Sequence, residues 1–397
     1  MTDTEKVKNK GRFDFGQNSC PGLIWKARIC SSYRGFQPLI FNNKIYTLDQ
    51  EEKFIILDIA TGLKTSPTKI FDNLILKPYQ INKESIYFFA KNENEQEQYL
   101  CAYNVNNDNI IWFKNIHTSG KVSIITDEHI LTIREDNKLY SIKLKSGAIK
   151  WTHKLRPLNF HDFTLNMYNN ILLVTGTGKA GFDKNGYILA LDKNSGNVEW
   201  IYATGGEVWN KPVAGESKIY IGDQGNRFSD VYCLSASPNA RTGECLWRYK
   251  LEGLPLNGAI SAGILYWGSY EGYLYAFDSN SGDVLWRFST CKKAAYHGPP
   301  CVAGDWVFVG VTDGYLYGLD AQSGNLRWKY FVIDEEAIQA ERLKKAREQG
   351  KAETTHTEIP ENNELKELQD DIDLFTWAAA ERLFLLTNQG FLFCFKL

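Results

Sequence analysis

The chain has 397 residues, of which 43% are hydrophobic and 14% aromatic, so it can bury a large core. Its net charge of −2 gives no global attraction to nucleic acid or to an anionic membrane surface. No apolar run is long enough to predict a membrane-spanning helix, and the first thirty residues contain no run typical of a signal peptide. From these features we expect a cytoplasmic protein whose eight cysteines are buried and reduced.

The predicted elements begin, after a polar tail over residues 1–21, with one strand, "GLIWKARI", at residues 22–29. From residue 38 onward, short runs rich in aromatic and β-branched residues recur, separated by turns that contain glycine. Five of the repeated units contain a glycine followed four residues later by a tryptophan: "SGAIKW", "SGNVEW", "TGECLW", "SGDVLW" and "SGNLRW". Two weaker copies precede them, at residues 38–71, with Ser66 where tryptophan is expected, and at residues 78–116.

The length of the repeat and its four strand-like runs predict a β-propeller. Trp286 and Trp328 are 42 residues apart, and Trp200 and Trp247 are 47 residues apart. Four-stranded units with a period of about 40 to 50 residues are typical of propeller blades, which stack because one blade cannot bury both of its faces. The glycine permits the positive φ of a tight turn, and the tryptophan is expected to pack on the next blade and to bond a backbone carbonyl there.

Ring closure explains why the last unit is incomplete. The final segment, "TWAAAERLFLLTNQGFLFCFKL", contains only three strand-like runs. The strand at residues 22–29 supplies the missing fourth run, and this pairing removes both free sheet edges. We therefore predict an all-β, eight-bladed β-propeller that forms a single domain over residues 22–397.

Residues 332–375 differ in composition from the rest of the chain. The stretch "EEAIQAERLKKAREQ" consists of helix-forming residues with oppositely charged pairs at helical spacing, and "AETTHTEIPENNE" is polar throughout. We predict a helical and disordered insertion between blades 7 and 8. Because no heptad pattern is sustained, a solvated arm is favoured over a coiled-coil strand.

The stretches "YILALDKNSGNVEW", "YLYAFDSNSGDVLW" and "YLYGLDAQSGNLRW" resemble the repeats of the pyrroloquinoline-quinone-type β-propellers, and the resemblance covers nearly the whole chain. That family includes quinoprotein alcohol dehydrogenases, the propeller lipoprotein of the outer-membrane barrel-assembly machinery, and propellers with no known chemistry. The resemblance therefore implies the fold and leaves the activity open. The aspartates that recur at these strand ends, Asp192, Asp278 and Asp320, are expected to cap turns.

The longer loops of the propeller are predicted to lie on one face, which we call the top face. If the first strand of each blade is innermost, the connections between blades and between the second and third strands lie there, and most turns on the opposite face are short. Elaborated loops on a rigid scaffold are where binding sites usually occur. The candidate binding residues on this face are Lys179, Glu207, Trp209, Asn210, Tyr296 and His297.

The resemblance to the quinoprotein dehydrogenases implies an asparagine ligand for calcium, an aspartate base and an adjacent cysteine pair above the quinone. Lys179 occupies the position of that ligand, and a cationic amine cannot bind Ca²⁺. Asn210 occupies the position of the base, and no two cysteines are adjacent in the sequence. We therefore expect no catalytic residue, no metal site and no cofactor.

From these features we predict a non-catalytic propeller that serves as a protein-binding or scaffolding module through its top-face loops. The partner is expected to be another protein, with no nucleic acid, no membrane span and a monomeric chain. Two alternatives stay open: a pyrroloquinoline-quinone-dependent dehydrogenase, and an envelope assembly factor resembling the propeller lipoprotein of the outer-membrane barrel-assembly machinery. Since proteins of both kinds work outside the cytoplasm, the lack of a signal-like segment argues against them.

Overall fold

The fold is described from a computed structural model of the chain. The described residues are 21–29, 38–48, 54–65, 74–82, 85–92, 98–107, 109–115, 120–125, 128–134, 138–155, 161–180, 183–225, 229–236, 243–289, 298–332, 374–379, 381–387 and 391–397. Within these ranges the chain forms β-strands and no helix. The predicted tail and the predicted insertion fall almost entirely outside the described residues.

The strands follow one another in chain order. The first half contains β1 (Gly22–Arg28), β2 (Leu39–Phe41), β3 (Lys44–Leu48), β4 (Phe54–Asp58), β5 (Lys64–Thr65), β6 (Leu74–Asn82), β7 (Ser85–Asn92), β8 (Gln98–Asn104), β9 (Asn109–Asn115), β10 (Gly120–Ile125), β11 (His129–Arg134), β12 (Lys138–Lys143), β13 (Ile149–Lys154), β14 (His161–Tyr168), β15 (Ile171–Ala180), β16 (Asp183–Asp192) and β17 (Val198–Ala203). The second half contains β18 (Val213–Gly215), β19 (Lys218–Gln224), β20 (Ser229–Ser235), β21 (Cys245–Leu251), β22 (Pro255–Ser261), β23 (Ile264–Ser269), β24 (Tyr273–Asp278), β25 (Val284–Ser289), β26 (Cys301–Ala303), β27 (Trp306–Gly310), β28 (Tyr315–Asp320), β29 (Leu326–Phe331), β30 (Leu374–Ala379), β31 (Arg382–Thr387) and β32 (Phe391–Lys396).

The described strands form eight four-stranded antiparallel sheets, as many as the predicted blades. Blade 1 is β2–β5, and each later blade takes the next four strands in order, up to blade 7, which is β26–β29. Blade 8 has the order β1-β32-β31-β30, with Gly22 paired to Lys396 and Arg28 paired to Phe391. The prediction that an N-terminal strand completes the last blade is therefore confirmed.

The first strand of each blade is innermost, because these strands contact their counterparts in neighbouring blades, as β14, β18 and β22 do. The second and third strands carry most of the core. In β23 all six residues are buried, whereas the outer strand β25 alternates exposed and half-buried residues. Core clusters join adjacent blades: one of them combines Leu173 and Ile188 of blade 4 with Ile221 and Leu234 of blade 5. The ring is consequently held together by burial between blades rather than within one blade.

The glycine and the tryptophan of the repeated motif meet across blade boundaries. In blade 6, Gly282 has a φ of +79°, and a Cβ built on it would lie 2.7 Å from Cδ2 of Trp247, which belongs to blade 5. Trp247 Nε1 donates to the carbonyl of Ser279, 3.1 Å away in the same turn. The same contact recurs in the pairs Gly62–Trp25, Gly196–Trp151, Gly243–Trp200 and Gly324–Trp286. The glycine is thus needed for both its backbone conformation and the space that it leaves for the preceding blade's tryptophan.

Two tryptophans of the repeated motif lack the hydrogen bond of this pattern. The Trp200 and Trp328 side chains are only 1% and 3% exposed, yet their indole N–H groups have no hydrogen-bond partner. In the described residues the predicted bond to a carbonyl forms for Trp25, Trp112, Trp151, Trp247 and Trp286 but not for Trp200 and Trp328.

The recurrent aspartates cap the turns between third and fourth strands, as predicted. The Asp192 carboxylate accepts hydrogen bonds from the backbone N–H groups of Asn194 (3.1 Å) and Ser195 (2.7 Å) and from the Ser195 hydroxyl (2.8 Å). Asp58, Asp278 and Asp320 accept equivalent backbone bonds in their own blades. These aspartates are therefore explained by the turn itself.

The cysteines agree with the prediction in part. All five described cysteines are free thiols, and the four that are buried are Cys101, Cys233, Cys301 and Cys394. Cys245 is exposed at the start of the outer strand β21. Burial raises the pKa of the Cys101 and Cys301 thiols to about 12, so these two groups are inert at neutral pH.

Candidate functional site

The top-face connection between blades 4 and 5, residues 204–212, carries three of the six predicted binding residues: Glu207, Trp209 and Asn210. We call this segment the 204–212 loop. It leaves the outer strand β17 and enters the inner strand β18, so it crosses the top of the propeller from rim to centre.

Hydrogen bonds from blade 4 fix the first half of this loop. The Thr204 hydroxyl donates to the carbonyl of Gly206 (2.8 Å), which also accepts the N–H of Gly186 (2.6 Å). Thr177 Oγ1 accepts the Val208 N–H (3.2 Å) and donates to the Val208 carbonyl (3.3 Å). The Val208 side chain is fully buried. The backbone on both sides of Glu207 is therefore held in one conformation.

The loop also pairs with blade 5 through its backbone. Glu207 and Gln224 exchange two N–H to carbonyl bonds, of 3.0 and 2.8 Å. The approach is close: a Cβ at Gly206 would lie 2.4 Å from the Gln224 backbone. Only glycine fits at residue 206, so the local sequence "TGGEV" explains how the loop lies against the neighbouring blade.

Asn210 connects three blades. Its Nδ2 donates to the carbonyl of Pro255 in blade 6 (2.7 Å), and its own carbonyl accepts the hydroxyls of Thr164 (3.4 Å) and Thr175 (3.3 Å) in blade 4. The Asn210 side chain is already engaged within the protein. Its role in the described structure is to position the loop, and the resemblance gave no indication of this role.

Trp209 projects from this fixed backbone into solvent. Its side chain is 58% exposed, the largest value among the large hydrophobic residues that the structure describes. Its Nε1 donates to the carboxylate of Glu207, 3.0 Å away. The loop therefore presents an aromatic surface with its polar edge already satisfied.

Two buried carboxylates lie next to the loop, and sequence reasoning missed them. Asp223 and Asp230 face each other across the β19–β20 pair and are 2% and 5% exposed. The Tyr232 hydroxyl donates to Asp223 (2.8 Å), and Arg248 pairs with Asp230 (2.9 Å). Burial raises the pKa of Asp223, although hydrogen bonds from Tyr232 and from the backbone partly oppose this shift.

This cluster supports the loop. The N–H of Gly205 donates to the Tyr232 hydroxyl (3.4 Å), so the bonded pair of Tyr232 and Asp223 lies directly against the loop. The only sequence signal is an aspartate at each end of "DQGNRFSD". Burial of these aspartates depends on a loop from the preceding blade and so could not be inferred from that signal.

The other predicted site residues are not brought to this loop by anything that the structure describes. Lys179 lies in β15, paired with Lys184 of β16, and its side chain is not among the described groups. Tyr296 and His297 lie outside the described residues. A shared binding surface for all six residues stays a prediction.

Neither a metal-binding cluster nor a membrane-spanning helix occurs in the described ranges. Among those residues, no group of three or more His, Cys, Asp and Glu side chains is arranged to hold a metal ion. The part of the chain with described coordinates likewise contains no helix with the length and hydropathy that a bilayer span requires.

Two curated proteins show detectable sequence similarity. The chain is 21% identical over 323 residues to the outer membrane protein assembly factor BamB of Shewanella oneidensis, a match covering 73% of this chain and 76% of that protein. It is 23% identical over 186 residues to the tetrathionate hydrolase of Acidithiobacillus ferrooxidans. That second match covers 41% of this chain and only 36% of the hydrolase.

Solved structures share the fold at low sequence identity. BamB from Moraxella catarrhalis superposes with a TM-score of 0.62 at 13% identity, covering 95% of this chain and 100% of that structure. The computationally designed Ika8 protein gives the same TM-score at 11% identity, covering 94% of this chain and 100% of that structure. At such identities the likeness concerns the fold alone.

The prediction of a cytoplasmic location is wrong. It depended on the lack of a signal-like segment in the first thirty residues. The Shewanella relative, however, is an outer membrane protein assembly factor, a protein of the cell envelope, and BamB is also among the similar solved structures.

The family comparison agrees with the repeat pattern. A family model described as outer membrane protein assembly factor BamB matches residues 42–153 and 227–339, which together make up more than half of the chain. The matched segments contain the glycine and tryptophan motifs that end at Trp151, Trp247, Trp286 and Trp328. The chain therefore belongs to the outer membrane protein assembly factor BamB family of pyrroloquinoline-quinone-like repeat propellers.

Proposed function

We propose that this protein is a protein-binding propeller that takes part in outer membrane protein assembly and contacts its partner through the 204–212 loop. Of the functions considered from the sequence, this one corresponds to the envelope-assembly alternative rather than to a cytoplasmic scaffold. Membership of the BamB family supports a role in outer membrane protein assembly. The exposed Trp209 on a fixed backbone supports the 204–212 loop as the contact surface.

Trp209 can bind a partner at a low cost in conformational entropy. Tryptophan is enriched among the residues that dominate protein interfaces, where it fills a desolvated pocket of the partner. Side-chain and loop ordering is a major cost of association. Here Thr177, Val208 and Asn210 already fix the loop, so little backbone freedom is left to lose.

In the described part of the chain, most of the other exposed large hydrophobic side chains lie on strands. The exposed apolar residues of the outer strands, such as Leu246, Val284 and Leu285, belong to repeated positions of the blade motif. Single exposed apolar side chains on a surface are ordinary and need no partner. Trp209 differs because it lies in a connection whose sequence does not repeat.

The test is to replace Trp209 by p-benzoylphenylalanine in the native cell, cross-link with light and identify the product by mass spectrometry. We expect cross-linking to a protein of the outer membrane assembly process. The same photoreactive residue at Leu285, which is 48% exposed on an outer strand, serves as the control. Equal products from both positions, or none from residue 209, would contradict the proposal.

A second measurement separates binding from folding. With the cross-linked partner purified, Trp209→Ala is expected to weaken the complex by about 30-fold, as typical for a residue that dominates an interface. The melting temperature should stay close to wild type, because the Trp209 side chain is mostly in solvent. Leu285→Ala should leave both quantities unchanged.

A further inference from the structure

The outer strand β17 leads directly into the 204–212 loop, so its free edge adjoins the proposed contact surface. β17 is the last strand in the order β14-β15-β16-β17, and its inner side pairs with β16. No strand of the described ranges pairs with its other side. Val198 and Ile201 are 38% and 43% exposed, and Ala203 is exposed as well. This edge of the propeller is therefore apolar and in contact with solvent.

One hydrogen bond shows which backbone groups of β17 point outward. The Thr204 N–H donates to the carbonyl of Gly186 (2.9 Å), the residue opposite it when the register of β16 and β17 is continued. In an antiparallel pair, such positions alternate with positions whose N–H and C=O groups point away from the partner strand. Ile201 and Ala203 therefore direct their backbone N–H and C=O groups outward, and the residue between them bonds β16.

Four other blades carry a cation at the position that Ile201 occupies, immediately after the motif tryptophan. Each cation lies over an aromatic ring of the adjacent strand, with distances to the ring centroid from 4.6 to 5.5 Å. These cations are Lys26, Arg248, Arg287 and Lys329, in blades 8, 5, 6 and 7. Charged side chains on an edge strand discourage its pairing with another chain. Residue 201 lacks this protection.

β17 is the uncharged outer strand that a partner on Trp209 can reach. The strands β9 and β13 also lack the cation, since Phe113 and Thr152 follow their tryptophans, but neither strand enters the 204–212 loop. Trp209 follows Ala203 by six residues, so the two residues lie at most about 20 Å apart. An extended segment of about six residues spans that distance. One segment of a partner can therefore contact both.

We infer that the outer edge of β17 binds an extended segment of the partner protein, which pairs as an additional strand with residues 201–203 and places an apolar side chain against Ile201. The inference rests on the proposed function and specifies how the partner binds. In strand addition, backbone hydrogen bonds provide affinity and side-chain contacts provide specificity. A strand satisfies a row of outward N–H and C=O groups, which a helix with its own internal bonds cannot do.

A β-bulge limits where the added segment pairs. The register of β16 and β17 shifts just before Trp200, so Glu199 is the extra residue on the outer strand. A bulge disrupts the ladder and protects an edge from pairing. Glu199 is also exposed and supplies a charge at this end of the strand. The added segment is therefore expected to begin beyond Trp200 and to continue towards Trp209.

Hydrogen exchange tests the inference directly, because strand addition protects outward N–H groups and a side-chain contact alone does not. The protein cross-linked from residue 209 is purified and added to the full chain. Exchange is followed by mass spectrometry with electron-transfer fragmentation, which resolves single amides. We expect exchange at Ile201 and Ala203 to slow at least about tenfold in the complex. The Arg287 amide, at the same position of β25, is the control and should exchange equally fast with and without the partner.

Three variants of β17 separate the backbone contact from the side-chain contact. Ala203→Pro removes an outward N–H without removing a bond to β16, whereas Ala203→Val keeps that N–H. Ile201→Arg introduces the cation that blades 5 to 8 carry. We expect the dissociation constant to rise about tenfold for Ala203→Pro and at least about 30-fold for Ile201→Arg, and to change less than about threefold for Ala203→Val. Lys154→Pro, at the equivalent position of blade 3, should bind like wild type.

The exchange measurement needs no substitution, so it decides the case even where a variant fails to fold. Unchanged exchange at Ile201 and Ala203 in the complex, or wild-type affinity of Ile201→Arg, would overturn the inference. A cross-linked product that consists of two copies of this chain would overturn it as well. If Trp209→Ala still weakened a complex with an outer membrane assembly protein, the proposed function would stand without the added strand. Absence of any cross-linked protein from residue 209 would refute both.

Discussion

Replacing Gly282 by alanine should destabilise the propeller far more than replacing a glycine of equal backbone conformation. Gly282 and Gly263 have φ values of +79° and +77° and lie in two turns of blade 6. A Cβ at Gly263 meets no atom within 4 Å, whereas a Cβ at Gly282 would lie 2.7 Å from Trp247. The pair therefore separates the cost of the backbone from the cost of the contact between blades.

The expected magnitudes follow from these two costs. A left-handed conformation costs an alanine about 1 to 2 kcal/mol, and this applies equally to Gly263→Ala and Gly282→Ala. In Gly282→Ala the Trp247 ring must also move, and overpacking of this kind costs about 1 to 3 kcal/mol. The bond from Trp247 to the Ser279 carbonyl contributes a further amount of about 1 kcal/mol if it breaks. We expect Gly282→Ala to lose about 2 kcal/mol more than Gly263→Ala.

The assay is urea-induced unfolding of the purified protein, followed by tryptophan fluorescence and circular dichroism. The same glycine replacement is made in a Trp247→Leu background, where no indole ring opposes the new methyl group. In that background Gly282→Ala should cost only the free energy of the left-handed backbone conformation. Gly282→Ala and Trp247→Leu should therefore show a coupling energy of about 2 kcal/mol. Equal losses in Gly263→Ala and Gly282→Ala, or no coupling, would refute the stacking of tryptophan on glycine as the link between blades.

Three further predictions concern closure, pH and cofactor binding. Trp25→Ala should lower the unfolding free energy by about 3 to 5 kcal/mol in urea titrations, because Trp25 is buried and donates to the Ile59 carbonyl across the closing boundary; a loss below 1 kcal/mol would mean that closure does not depend on it. The backbone hydrogen bond from Ser323 holds the pKa of Asp320 below its ordinary value of 3.8, so the stability that Asp320 provides is present above about pH 4 and is lost as the pH falls further. The difference in urea midpoint between wild type and Asp320→Ala should therefore shrink below that pH, and a constant difference would contradict the assignment. Calorimetry with pyrroloquinoline quinone and Ca²⁺ should detect no calcium-dependent binding, since Lys179 occupies the position of the calcium-binding asparagine; tight binding with dye reduction by alcohols would favour the dehydrogenase alternative.

The repeated part of the fold was predictable because each signal in it is local. The glycine, the aspartate and the tryptophan of a motif such as that ending at Trp286 lie within about ten residues of one another and recur in blade after blade. The turn of each blade then fixes where the tryptophan of the preceding blade packs. Trp200 and Trp328 show the limit of this reasoning, because their indole N–H groups have no hydrogen-bond partner although their motifs look regular.

The candidate site was predictable only in part, because its contacts join distant parts of the chain. The sequence placed Trp209 on a top-face loop, and the structure gives it an exposed position there. The partner of Asn210, however, lies 45 residues further along the chain, and Thr164 precedes it by 46 residues. Without the superposition of blades, Asn210 looks like a free polar residue in a loop, and Asp223 and Asp230 look like solvated turn residues.

The stability of the ring and the geometry of the 204–212 loop depend on different sets of residues. The ring depends on positions that every blade repeats, so a weakened boundary affects the whole closed structure. The loop depends on polar groups that do not repeat, among them Thr177, Asn210 and Asp223, which bond its backbone or lie directly against it. Variants of the first set should change the unfolding free energy, whereas changes confined to Trp209 should alter binding without altering folding. Such a separation lets a conserved scaffold change its partner by altering one connection between blades, which is the arrangement expected of a binding protein built on a rigid fold.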